Sequence, residues 1–124
     1  MRSRRRSRVL CRLAVSALLL PLASGAHAQT VADEAIALLR AASAQSAIIV
    51  FCAKRYTVDG TTALRISQTS RDVAAKVLGR EPADAAFKEE LARRYEEVKE
   101  VGEAQWCADQ RAAFAEDGVR IFKD

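Results

Sequence analysis

Ser46-Ala47-Ile48-Ile49-Val50-Phe51-Cys52-Ala53 is the stretch on which the fold turns. Taken alone, Ile48-Ile49-Val50-Phe51 reads as a short strand buried on both faces. Its flanks decide otherwise. Val31, Ala35, Leu38, Leu39, Ala42, Ile49, Ala53 and Tyr56 recur at about 100° per residue and form one helical face. Asp33, Arg40 and Lys54 fall on the opposite side. The stretch is therefore expected to be the end of a helix over about 30–56 that is buried on two sides. Thr30, with Asp33 three residues on, is a variant of the capping box that starts such a helix.

The chain downstream repeats the pattern. Thr57-Val58-Asp59-Gly60 is a break with an Asp-Gly turn signal. A second helix is expected over 62–78, with Ile66, Ser70, Val73, Ala74, Val77 and Leu78 on its core face. Gly79 is a natural stop, and Pro82 suits the first turn of a third helix over 82–116. In that helix Phe87, Leu91, Val98 and Val101 form a stripe with Tyr95 and Gly102 beside it. Glu89–Arg93 and Glu90–Arg94 are i, i+4 pairs assigned to the wet side. No segment alternates apolar and polar residues long enough for a strand. The expected fold is all-α, a small three- to four-helix bundle.

Positions 87, 91, 94, 98, 101 and 105 also match a heptad seam. Arg94 and Gln105 interrupt it, which favours packing within one bundle and a monomer over a dimer. Cys107 lies off this stripe. Counted in 100° steps from Phe87, the stripe clusters within about 80°, while Cys107 falls near 200° and Phe114 near 180°. Either the helix bends between Gly102 and Gln105, or it packs different partners along its length. Gly118 is the expected C-terminal stop, with Val119 folding back onto Phe114 or Ala115. Ile121 and Phe122 are expected to dock against the body.

The beginning of the chain is of another kind. Arg2, Arg4, Arg5, Arg6, Arg8 and Arg12 precede an apolar stretch from Leu13 to Ala23, and Ala26-His27-Ala28 offers small residues on both sides of the histidine. A basic start, a short apolar middle and a small-x-small exit make a secretory signal peptide over 1–28, cleaved after Ala28. The run is short of the ~20 apolar residues a membrane span requires. Arg4-Arg5 is a weak match to twin-arginine signals, so general secretion is expected. Gln29 after the cut excludes a lipoprotein signal, so no stable membrane anchor remains.

Processing reverses the charge argument. Residues 1–28 hold six arginines and no acid of the 20 basic and 16 acidic residues, so residues 29–124 carry 14 against 16, a net charge of −2. A nucleic-acid partner, suggested by the basic whole chain, loses its support. The remaining 96 residues suffice for a single helical domain. Cys52 and Cys107 are then its only cysteines, in a compartment where disulfides persist. Their one intramolecular pairing closes a loop of about 55 residues. The loop-entropy model gives such a crosslink roughly 4 kcal/mol, against a total stability of about 5–10 kcal/mol for a domain this small.

The chemistry left open is narrow. His27, the only histidine, leaves with the signal, which removes Ser-His-Asp and Cys-His catalysis. It also removes His/Cys zinc sites and haem attachment by C-x-x-C-H. Gly60, Gly79, Gly102 and Gly118 are scattered and make no phosphate loop. Thr57-Val58-Asp59-Gly60-Thr61 has one acid where a calcium loop has several. Glu96, Glu97, Glu100 and Glu103 could pair for glycoside hydrolysis, but interleaved with Arg93, Arg94 and Lys99 they read as a solvated face. No catalytic residue, metal ligand or cofactor is expected.

The reading is a small exported binding protein of the bacterial envelope, periplasmic or secreted, with a protein partner that the sequence does not name. Ile48, Phe51 and Trp106 are the candidate interaction patch, Trp106 because tryptophan is enriched at interface hot spots. Packing beside the disulfide is the plainer role for Trp106. Two alternatives differ in class. An acid- or stress-responsive periplasmic chaperone would open as its 16 carboxylates protonate, exposing Ile48, Phe51 and Phe87. An inhibitor or immunity protein for a cell-wall enzyme would present a rigid exposed patch.

Overall fold

A computed structural model describes the backbone of residues 23–124 and the side chains from Gln29 onward. The expected signal segment lies outside the described residues as far as position 22. Four helices follow: α1 Ala23–Phe51, α2 Gly60–Leu78, α3 Arg80–Val101 and α4 Glu103–Glu116. The chain is a small all-α bundle, with one isolated antiparallel bridge between Val58 and Phe122 among the described residues.

Helix α1 is the helix the other three pack around. Ile48-Ile49-Val50-Phe51 is helical, as its flanks require. From Ala42 to Ile48 every residue is buried except the half-buried Ser46. By length and composition Gln29–Phe51 would suit a membrane span. A core helix passes the same test, and here α2 and α3 cover its inward side. Three expected details change. Val50 is 59% exposed, so this end of the helix is not buried on two sides. Thr30 lies inside the helix and is not its N-terminal cap. The helix stops at Phe51, not near Tyr56, so the helical phase is lost and Ala53 is exposed.

The face of α2 is also corrected. Its buried residues are Ala63, Ser67, Ser70 and Ala74, spaced i, i+4, i+7 and i+11. Val73 and Val77 are 42% and 44% exposed, at the edge of that face. The cause is the partner. Across from α2, α1 presents Ala42, Ser43, Ser46 and Ala47, and small residues let two backbones approach closely. Ser67 Oγ donates to the Ala42 carbonyl at 3.1 Å and lies 3.3 Å from Ser46 Oγ. Branched valines at this seam would hold the helices apart. Asp59 caps α2, its carboxylate accepting from the Thr62 N–H at 3.0 Å and the Thr62 hydroxyl at 2.8 Å.

The expected third helix is two helices. The chain breaks at Gly102, which has φ 87° and ψ 144°; Gly79, between α2 and α3, has nearly the same geometry. Side chains other than hydrogen are strongly disfavoured there, so each glycine is a joint at which the next helix sets off in a new direction. Cys107 consequently need not follow the Phe87 stripe. Phe87 packs with Ala35, Leu39, Ala42, Ala74 and Ala83, while Cys107 packs with Ala47, Ile48, Cys52, Ala63, Val98, Trp106 and Ile121. Val101, expected in the stripe, is 51% exposed because the helix ends on it.

Glu90 and Arg94 are the remaining correction in α3. They lie on its inner face, with Glu90 buried and the Arg94 side chain 14% exposed. Glu90 is drawn inward by charge from two helices. Its carboxylate sits 3.6 Å from Arg40 of α1, 3.4 Å from Arg93 and 3.9 Å from Arg94. Of the two expected pairs, Glu89–Arg93 is the one on the solvent side, at 3.1 Å.

Candidate functional site

The disulfide between Cys52 and Cys107 stands at the centre of the better-packed end of the molecule, and both cysteines are fully buried. It ties the turn after α1 to the second turn of α4. The candidate patch is assembled around it, but inward. Ile48 is fully buried, Trp106 is 3% exposed and Phe51 is half-buried. Phe51 meets Tyr95 edge-on at 5.2 Å and Trp106 edge-on at 6.4 Å. The Trp106 indole N–H donates to Glu97 at 3.3 Å. Ile48 and Trp106 are thus core beside the disulfide, with the indole N–H bonded, while Phe51 stays half-buried.

Three carboxylates fasten the chain around that core. Glu103, at the start of α4, sits 2.8 Å from Lys54 and 3.5 Å from Arg55. The Lys54 contact foremost, then the charge of Arg55, holds its carboxyl below the usual range. Asp59 is lowered chiefly by the Thr62 N–H it caps, with Lys123 adding to the effect at 3.4 Å. Asp124 is lowered chiefly by the Thr57 N–H, which donates to its side chain at 3.0 Å. The tail is also stitched by its backbone. Asp59 N–H donates to the Ile121 carbonyl at 2.7 Å, and Lys123 N–H to the Thr57 carbonyl at 2.8 Å. Ile121 is fully buried as a result, as its apolar character requires.

Docking of the tail leaves a groove between it and α4, of about 580 Å³. The end of α4 makes one wall possible. Gly118 has φ 74°, and Val119 N–H donates to the Phe114 carbonyl at 2.9 Å, the six-residue closure of a Schellman motif. That closure turns the chain back along the helix. Ala108, Ala112 and Ala115, at i, i+4 and i+7, form a floor with no long side chain to fill it. Tyr56 and Phe122 meet edge-on at 5.7 Å and line the groove with aromatic surface.

The charges of the groove are unevenly engaged. Arg111 lies 5.3 Å over the Tyr56 ring, and its guanidinium holds the main-chain oxygen of Asp124 through Nε at 2.9 Å and through a terminal nitrogen. Asp124 turns its side chain to Thr57. Arg120 lines the groove and is exposed, with no ion-pair partner among the described residues. Of the two cations in the lining, Arg111 is engaged by Asp124 and Arg120 is not engaged by an ion pair among the described residues.

Sequence reasoning did not pick out this groove. The alanine spacing on α4 and the apolar tail were visible, but Tyr56 reaches the tail only because α1 ends early. The acidic strip behaves differently from its expected solvated face at two of its four positions. Glu96 pairs with Lys99 at 2.7 Å on the surface, whereas Glu97 holds Trp106 and Arg94, and Glu103 holds Lys54 and Arg55. No group of three or more His, Cys, Asp or Glu side chains is placed to hold a metal among the described residues. No protein-family model, no curated protein and no solved structure matches the chain.

Proposed function

We propose that this is a small exported protein of the bacterial envelope, periplasmic or secreted, that acts by binding and not by catalysis. The groove between α4 and the tail carries the reading. It is concave, it mixes aromatic walls with cationic edges, and it is built on the crosslinked end of the bundle, so little ordering is left to be done on binding. The buried disulfide and the signal-like beginning of the chain support an oxidising destination. The test is fractionation of cells expressing the full chain, with intact mass and thiol alkylation of the product. A processed chain with blocked thiols in the osmotic-shock fraction supports the reading. An unprocessed chain in the cytoplasm with free thiols at 11, 52 and 107 overturns it.

A second reading, an acid-responsive chaperone, draws on Asp59, Glu103 and Asp124. Each fastens a connection at the disulfide end, and each is held below the usual carboxylate range. Their stabilisation is complete above the unfolded-state values and disappears as pH falls through the lowered folded-state values. Acid would thus release the tail and the loop after α1 and uncover Tyr56, Ile121 and Phe122. Client aggregation at about pH 2–3 decides it: protection supports the chaperone, and unchanged aggregation removes it.

A further inference from the structure

We infer that the groove between α4 and the tail binds small amphipathic carboxylates, a flat apolar body carrying one anionic group. The inference rests on the binding reading and names the class of ligand. Size comes first. A volume of about 580 Å³ lies within the range of about 300–1,000 Å³ that small-molecule sites occupy. A protein partner would need roughly 20–30 residues from this side, more than the groove and its rims supply.

Shape and chemistry narrow the ligand further. The alanine floor is flat because Ala108, Ala112 and Ala115 share one face of α4. Tyr56 and Phe122 line the same groove with ring surface, which suits an apolar body lying on that floor. Arg120, exposed and without an ion-pair partner among the described residues, is the cation available to an incoming anion. Arg111 is already committed, its guanidinium holding the main-chain oxygen of Asp124 with two nitrogens while lying over the Tyr56 ring. A carboxylate offers a guanidinium two oxygens in one plane, the geometry this side chain favours. The Asp124 side chain is engaged by Thr57 and its main chain by Arg111, so neither competes directly for Arg120.

The probe is 2-naphthoate, with neutral 2-naphthamide as its isostere, titrated into the oxidised protein and followed by amide chemical shifts. Saturable shifts at Tyr56 and across 108–122 are expected, with a Kd of about 1 mM or tighter. Naphthamide should bind about fivefold more weakly, the upper end for a solvent-exposed ion pair, and Arg120→Gln should weaken naphthoate equally. Ala112→Trp, at an exposed position that leaves the core intact, should abolish the shifts by filling the groove. Naphthoate shifts that do not saturate, that map elsewhere, or that naphthamide reproduces at equal affinity overturn the proposal. Those results leave the export reading standing, since the fractionation test reports on processing and location separately.

Discussion

At one end of the bundle Cys52, Cys107, Ile48, Trp106 and Ile121 interlock around a covalent bond. At the other, Ala35, Leu39, Ala42, Ala74, Ala83 and Phe87 meet with no bond across them. The first end gathers segments far apart in sequence: the end of α1, the start of α2, the end of α3, α4 and the tail. The second is three helices packed side by side, largely through alanines, continued toward the middle by the Ser46–Ser67 seam. Small residues allow close approach but bury little apolar area each, and stabilisation follows area. The two ends are held by different means. The crosslinked end is the platform that carries the groove, and the alanine-rich end is the one expected to open first.

Removing the staple is expected to do most to erase this difference. Cys52→Ser with Cys107→Ser should cost roughly 4 kcal/mol and lower the melting temperature by about 15 °C or more. An unchanged calorimetric melt would show that the crosslink constrains nothing. In the alanine-rich end, Leu39→Ala removes its largest fully buried side chain and should cost about 3 kcal/mol in urea titration. A loss under 1 kcal/mol would mean that this end is already loosely packed. Gly102→Ala tests the joint between α3 and α4. A Cβ there meets nothing within 4 Å, so the expected loss of about 2 kcal/mol is backbone strain alone.

Smaller effects sharpen the same contrast. Glu90→Gln leaves Arg40, Arg93 and Arg94 around a neutral amide. It should cost about 1–2 kcal/mol, below the value for a fully buried pair because Arg40 and Arg93 reach water. Acid should act mainly on the crosslinked end, through Asp59, Glu103 and Asp124. All three have lowered folded-state values, so stability should be constant above the ordinary carboxylate range of about 4 and fall below it. Asp59→Ala combined with Asp124→Ala should flatten that fall, and an unaltered pH profile would remove these groups from the account.

The helical class was legible because periodicity around Ile48–Phe51 outweighed the local apolar run, and the glycine breaks because no other residue signals them so strongly. The pairing of Cys52 with Cys107 was legible by elimination. The buried face of α2 was not. Periodicity found Ser70 and Ala74 but also favoured Val73 and Val77, whereas close approach to the serines and alanines of α1 favoured Ala63 and Ser67. Glu90 was misplaced for a related reason: an i, i+4 pattern describes one helix and says nothing of Arg40 on another. The groove was hidden because it depends on where α1 stops and on how Gly118 turns the tail, both tertiary details.

Amide hydrogen exchange on the oxidised protein tests the unequal bundle most directly. The account predicts exchange about tenfold or more slower at Ile48–Cys52 and at Trp106–Ala108 than at Ala35–Ala42 and Ala74–Leu78. Reduction should bring the two sets together. Equal protection in the oxidised state, or slower exchange in the alanine-rich end, would contradict it.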